Sequence, residues 1–387
     1  MVEPSRSHLP PMPRWLVPAV VAVVLLISGG LVWVLLWGLD TFEHLTDSEH
    51  ATARLDVVKI GLTVAGGGGA LFALWLGVRR QRAVERDSED RYAAQTATER
   101  DATERRITEL YGRAVDQLGS DKAAVRLGGL YALERLANDH EQLRQTVVNV
   151  LCAYLRMHNA EDGQVRLTAQ KILGDHLRGE EGIFGVNLRP NPRFWGELEV
   201  DLSEAKLVDF DLTNARLKSA DFENTVFIGR LANFVGVVVV GDANFAEAEF
   251  RAPAHFHHVS ARGFVAFDHA KFASGAVFAD AEFWYGVTFY SAGFMLRAEF
   301  DGVNFGLVGS FEGAAFREGA SFCGSVFDTF PNFSGVVCGG SLDFSNSTVM
   351  SSPADGGSPP DGWTVKKEAF ADDGGVDGVR WRVVRNG

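Results

Sequence analysis

In the second half of the chain, apolar and polar positions follow a double beat. From Phe234 to Val349 phenylalanine returns at alternating intervals of five and six residues, so the true unit is eleven. Phe245 belongs to this series, which runs from Phe267 through Phe272, Phe278, Phe283, Phe289, Phe294, Phe300, Phe305, Phe311, Phe316, Phe322, Phe327 and Phe333 to Cys338 and Phe344. Two positions before each ring stands a small apolar residue, as at Ala243, Ala248, Ala270, Ala281 and Val287. A helical hendecad would keep its apolar residues on one stripe. At roughly 100° per residue, steps of five and six instead put successive rings about 140° apart, on two faces. Gly302, Gly313, Gly324 and Gly335, one per unit, weaken a helix but suit corners that need unusual backbone angles. In extended chain, residues two apart share a face, so the small residue and its ring both point inward. Each half-unit therefore reads as one short strand plus one corner.

Upstream the beat is simpler, because Leu202, Leu207, Leu212, Leu217, Phe222 and Phe227 are spaced by strict fives. The segments VDLSE, AKLVD, FDLTN, ARLKS and ADFEN, continued by ANFAE, AEFRA, AKFAS, AEFWY, AEFDG and VNFGL, resemble the pentapeptide repeat family. That resemblance covers about residues 201–349 and implies a right-handed, four-sided β-helix, while it says little about activity. The chain departs from the family pattern by a sixth residue in every second repeat from Phe234 onward. It also breaks phase between Ile228 and Asn233, where a coil should lengthen from twenty to twenty-two residues with a kink or bulge. Counting four sides per coil gives about seven coils, roughly 34 Å at the ~4.8 Å spacing of strands. Each coil buries its rings only against its neighbours, so both ends need covers. GWTVKKEAF and GVRWRVV, beyond a Pro/Gly/Ser-rich linker at 351–362, are expected to cover the last coil within a linker-and-cap segment at 350–387.

The first half is differently built, and the whole reads as a membrane-anchored α+β chain. A polar tail at 1–14 precedes an apolar run at 15–39, long enough to cross a hydrocarbon layer of about 30 Å. A second apolar run spans 57–78. The loop at 40–56 carries Asp40, Glu43, Asp47, Glu49 and Asp56 against Arg54, whereas Arg79, Arg80 and Arg82 follow the second run. The positive-inside rule then places the loop outside and both termini with the repeats in the cytoplasm, on a multi-pass cell-membrane protein. Gly61, Ala65, Gly69, Ala73 and Gly77 recur every four residues, which fits packing against the first span and leaves a homodimer through the same row as the alternative. Residues 79–106 mix both charge signs without an apolar seam and read as a solvated helical stalk. Residues 107–200 read as a helical domain and amino-terminal cap: Ser120 and Asp121 open one helix, and Leu143, Val147, Val150, Leu151 and Leu155 stripe the next. This segment also resembles the helical part that precedes the repeats in membrane-anchored actinobacterial pentapeptide proteins, and its helix pairs resemble HEAT-type hairpins.

Composition adds three points. Cys152, Cys323 and Cys338 are odd in number and scattered, which argues against a disulfide framework and for a reducing compartment. Arginine outnumbers lysine and alanine, glycine and valine abound, a bias that fits a GC-rich bacterial genome. Residues 201–349 carry nine Lys and Arg against eighteen Asp and Glu, so direct nucleic-acid binding is not expected. Chemistry-bearing motifs are scarce. The run Gly66–Gly69 lacks the Lys-Ser or Lys-Thr of a phosphate loop, and His255, His257 and His258 flank inward Phe256 and should point outward, short of a closed metal site. No cofactor is expected. The leading expectation is a non-enzymatic, membrane-tethered scaffold for an unidentified cytoplasmic protein, with Trp284, Tyr285 and Tyr290 as the candidate binding surface. Two alternatives stand beside it. Some pentapeptide proteins resemble duplex DNA in shape and charge and bind DNA gyrase, so the acidic rod would be a DNA mimic; or the helical domain holds an enzyme site that no motif marks.

Overall fold

The computed structural model describes residues 15–40, 47–157, 163–183, 186–351, 358–360, 362–371 and 377–385. They divide into two compact units, Met1–Glu104 and Arg105–Gly387. The first holds α1 (Leu16–Asp40) and most of α2 (Asp47–Leu118). Both helices are long and apolar enough to cross a membrane, over Pro18–Gly38 and Arg54–Gln81. Two boundaries differ from the sequence expectation. The loop expected at 40–56 is helical from Asp47, and the stalk expected at 79–106 continues the second span without a break to Leu118. Sequence gives no stop there, since neither proline nor a glycine cap separates apolar from charged turns.

The two apolar helices meet where side chains are smallest. Val57 and Gly61 are buried, a Cβ on Gly61 would collide with Val32, and one on Gly68 would touch Val24 at 3.4 Å. Gly69 and Gly77 face open space. A strict every-fourth row drifts about 40° per step around a helix of 3.6 residues per turn, so it leaves the contact line after one or two turns.

In the second unit, α3 (Ala123–Asp139), α4 (Arg144–Arg156) and α5 (Gly163–Leu177) bury Leu130, Leu133, Val147, Val148, Leu151, Leu155, Ile172 and Leu173 in one continuous core with the repeats. The helical segment is thus a cap that shares the solenoid's core. Ser120 and Asp121 do not cap α3: its N-cap is Lys122, and the Ser120 hydroxyl accepts from the Lys122 N–H instead. Asn191, Trp195 and His176 close the cap from the side. His176, buried, lies with one ring nitrogen 2.8 Å from Glu134 Oε1 and the other 2.7 Å from the Arg193 carbonyl, and it stacks on Trp195 at 4.0 Å.

The first coil would expose strand edges to α4 and α5, and side-chain amides pair with them. Gln145 in α4 donates to the Glu199 carbonyl (2.9 Å) and accepts from the Glu199 N–H (3.0 Å). Gln170 in α5 makes the same two-way bond with Val208 (2.9 and 3.1 Å). A primary amide has one donor end and one acceptor end, so each glutamine acts as one extra residue of strand.

From Leu198 to Val349 the chain winds as a parallel β-solenoid of about seven turns with four sides. The sides are named here by their inward rings: side 1 for Leu202, Phe222, Phe245, Phe267, Phe289, Phe311 and Phe333; side 2 for Leu207, Phe227, Phe250, Phe272, Phe294, Phe316 and Cys338; side 3 for Leu212, Phe234, Phe256, Phe278, Phe300, Phe322 and Phe344; side 4 for Leu217, Val239, Ala261, Phe283, Phe305, Phe327 and Val349. Every expected core Leu and Phe is at most 5% exposed. Register confirms the coil lengths. Lys206 pairs with Val226, twenty residues on, whereas Glu249 pairs with Lys271 and Ala254 with Ala276, twenty-two on. Across the phase break the offset is twenty-three, from Ala220 to Ala243 and from Val226 to Glu249. The extra length there is filled by Phe210, buried where other coils carry a small residue and in contact with Phe222, Phe227 and Phe234.

The eleven-residue unit is now explained by its two corners. Five-residue steps turn with the residue two after the ring in the left-handed region: Asn214, Asn224, Glu247, His258, His269, Asp280 and Ser291, then Gly302, Gly313, Gly324 and Gly335. Six-residue steps, from side 2 to side 3 and from side 4 to side 1, use the extra residue to round the corner. The Asp or Asn before many rings accepts from the N–H two residues on, as in Asp211 to Thr213 and Asp343 to Ser345. At the far end, strands Trp363–Ala371 and Asp377–Arg385 form an antiparallel hairpin that pairs with Thr348 and Val349, and Trp363 packs on Phe344 at 5.1 Å. The expected cover is in place; the linker core at 352–357 lies outside the described residues.

Candidate interaction surface

A six-residue corner presents outward side chains that the five-residue repeat does not have, so these corners are where a partner-specific surface can be written. Most carry glycine, serine, threonine or charged residues. Three consecutive ones do not: Trp284–Tyr285, Met295–Leu296 and Leu307–Val308 are all exposed, between 42% and 58%. The first and third belong to the same corner, between sides 4 and 1, one coil apart. Gly286 pairs with Val308, and the Val308 N–H donates to the Tyr285 carbonyl at 3.2 Å. Below them Phe264, half-buried, meets the Tyr285 ring edge-on at 6.5 Å. Above, Phe330 and Pro331 turn inward and end the ridge. Small neighbours keep it open, since Gly263 and Gly306 occupy the same corner.

Of the three expected surface residues, Trp284 and Tyr285 share this ridge, and the Trp284 indole N–H donates to Ser260 Oγ at 3.4 Å. Tyr290 is exposed but sits at the other end of side 1, against His269 at 5.3 Å. Five extended residues put it about 16 Å from Tyr285. Leu307, Val308 and Phe264 were missed by sequence reasoning. Their signal was available: the position two after the inward residue reads Gly241, Ala252, Gly263, Ser274, then Tyr285, Leu296, Leu307, and then Glu318, Thr329, Gly340.

Beneath the same corner the core is thinnest. Side 4 carries Val239 and Ala261 where the other sides carry phenylalanine, leaving an apolar cavity of about 20 Å³ lined by Phe245, Phe267 and Phe283 among others. Phe283, with only a methyl below it, tilts 35° against Phe305 at 6.3 Å, whereas rings on sides 1 to 3 stack at 4.6–4.9 Å.

Two other places gather polar side chains. A polar cleft of about 530 Å³ between α4 and the first coils is lined by Cys152, Arg156, Glu199, Asp201, Asp221 and Asp242. Arg156 pairs with Asp201 there, and burial pushes the Cys152 thiol up to about 12. A thiol so raised stays protonated and is no nucleophile at neutral pH. Iodoacetamide at about pH 8 is accordingly expected to label Cys323 and Cys338, both half-buried, while Cys152 reacts only on unfolding; peptide mapping reads the order. His255 and His257 meet edge-on at 5.1 Å with His258 3.9 Å from Asp280, and burial lowers the first two below the ordinary histidine range. No group of three or more metal-ligating side chains converges among the described residues.

Comparison with known proteins agrees with the coil geometry. Residues 199–229 match the family of pentapeptide repeats (8 copies). Neither a curated protein nor a solved structure matches the chain. Sequence match, twenty-residue register and four-sided stacking coincide on the first coils, the stacking continues through the later, twenty-two-residue coils, and the chain carries a pentapeptide-repeat β-solenoid.

Proposed function

We propose that this protein is a non-catalytic, membrane-tethered scaffold whose solenoid holds an interaction ridge in a fixed geometry on the cytoplasmic side. One observation carries this reading: the exposed apolar residues of the solenoid are concentrated at consecutive six-residue corners, with Tyr285 and Leu307 in register on one edge. Clusters of this kind on a soluble surface mark interaction sites. The backbone beneath is a ladder of coil-to-coil hydrogen bonds, so the ridge is presented without an ordering cost on binding.

The tether rests on the two apolar helices and the orientation on charge. Arg79 and Arg80 close the second span at its carboxyl end, while Asp40 and Asp47 lie between the spans. A reporter fused after residue 100 should be active only in the cytoplasm; periplasmic activity would reverse the orientation. Trp284→Ala with Tyr285→Ala in the full chain should abolish capture of a cytoplasmic partner while the melting temperature stays within a few degrees. Undiminished capture by the double variant would remove the ridge as the binding surface.

A further inference from the structure

The charges around the ridge specify the chemistry of what docks there; this rests on the scaffold reading above. On the two sides that meet at this corner, from Val240 to Ser334, the charged residues are Asp242, Asp268, Glu282, Glu312 and Asp328 against Arg262 alone. Register puts Asp242 at the lower end of the ridge, where it accepts from the Phe264 N–H (2.7 Å), and Asp328 at the upper end, one coil above Gly306, while Arg262 lies one coil below Trp284. Glu282 lies between Ser260 and Asn304 on side 4, just before Trp284, and the Asp328 N–H donates to the Phe305 carbonyl at the top. Asp268 and Glu312 stand one coil below and above Tyr290, at the far end of side 1, where Asp268 accepts from Thr288 Oγ1 (2.8 Å) and the Tyr290 N–H (3.2 Å), and Glu312 accepts from Asn332 Nδ2 (2.9 Å). None of the five forms an ion pair with a cation of its own fold among the pairs described, and neutral donors leave their charge in place.

We infer that the ridge binds an apolar peptide segment flanked by lysine or arginine. Three physical terms favour it. Leu307, Val308 and the ring faces of Trp284 and Tyr285 give an apolar centre that loses water on contact. Asp242 and Asp328 at the two ends of that centre, with Glu282 beside it, attract cations and raise the association rate. The exposed indole and phenol rings themselves attract a guanidinium or ammonium. The same acids repel nucleic-acid phosphates and anionic lipid headgroups, which separates a basic peptide from those two occupants.

The test uses the full chain in detergent micelles and two labelled dodecapeptides with the same Leu/Ala centre, one with two lysines at each end and one with two glutamates. The lysine peptide is expected to bind at least about tenfold tighter at low salt, and the gap should narrow as sodium chloride rises from about 50 to about 500 mM. Tyr285→Ser with Leu307→Ser should remove its binding while the circular-dichroism melt is kept, and Tyr290→Ser should change it by less than about twofold. Equal affinity for both peptides, or lysine-peptide binding untouched by the double variant, overturns the assignment. Protein capture that depends on Tyr285 and Leu307 without lysine-peptide binding sinks the charge chemistry and leaves the scaffold standing. Capture indifferent to both residues sinks the scaffold surface itself.

Discussion

Phe289→Ala is expected to destabilise the solenoid by about 3–5 kcal/mol, the range for emptying a buried phenylalanine site. Phe289 is fully buried at the middle of the stack. It lies parallel to Phe267 below and Phe311 above, each at 4.9 Å, and meets Phe278 and Phe300 edge-on at 5.3 Å. Backbone hydrogen bonds prevent the walls from closing, since the Phe289 N–H donates to the Ser310 carbonyl of the next coil and the Ala292 N–H closes the turn onto the Phe289 carbonyl. The milder Phe289→Leu loses ring contacts worth about 0.5–1.5 kcal/mol each. Phe283→Leu should cost less, because Ala261 leaves no ring beneath it. Urea unfolding of the three variants gives the comparison; equal costs for the two leucine changes would mean that stacking contributes nothing beyond burial.

A single methyl at Gly306 should do nearly as much damage, about 2–3 kcal/mol at the upper end of overpacking. Gly306 is buried in the corner directly above Trp284, where an added Cβ would collide with the carbonyl oxygens of Phe283 and Trp284. Backbone oxygens cannot swing aside as a side-chain end can. Relief requires the coils to part, which breaks the 2.8 Å bond from the Gly306 N–H to Phe283. Gly293→Ala is the control. Nothing lies within 4 Å of a Cβ there, and Lys271 and Ala315 occupy the same place one coil away, so the change should fall within about 0.5 kcal/mol. Melting curves that rank Gly293→Ala as the more harmful would contradict the close approach at Gly306.

The solenoid was legible because its repeated residue is its core residue. A ring every five or six positions marks each side, and with the four-sided coil that the resemblance to pentapeptide repeats implies, the twenty- and twenty-two-residue turns and the break near Ile228 were legible in the sequence. Phe210 escaped because its position, two before Leu212, carries alanine on the next five coils, and nothing local shows that the break one coil on makes room for a ring. The cap was legible only as helices. His176, Trp195 and Glu134 lie far apart in sequence, and no local pattern announces that they converge. Gln145 and Gln170 look like ordinary polar helix residues until the edge they face is known. The surface was half legible: aromatic residues drew attention to Trp284, Tyr285 and Tyr290, but identity alone does not tell a corner from a strand. Knowing which steps are six residues long separates Tyr290 from the ridge and admits Leu307 and Val308.

The two glutamine amides have a bearing on the order in which the molecule comes into being. Synthesis delivers the cap helices before any repeat, so Gln145 and Gln170 are waiting when Leu198–Asp201 and Lys206–Val208 emerge. The first coil then does not need to find a partner coil: it closes against an edge already fixed in register, one amide on Glu199 and one on Val208. Each later coil meets the same situation with the previous coil as its foundation. Assembly thereby acquires a direction, amino to carboxyl, and a turn is never asked to close over a long unformed loop. A chain of the same repeats without those amides would have no preferred starting place and as many competing beginnings as it has coils.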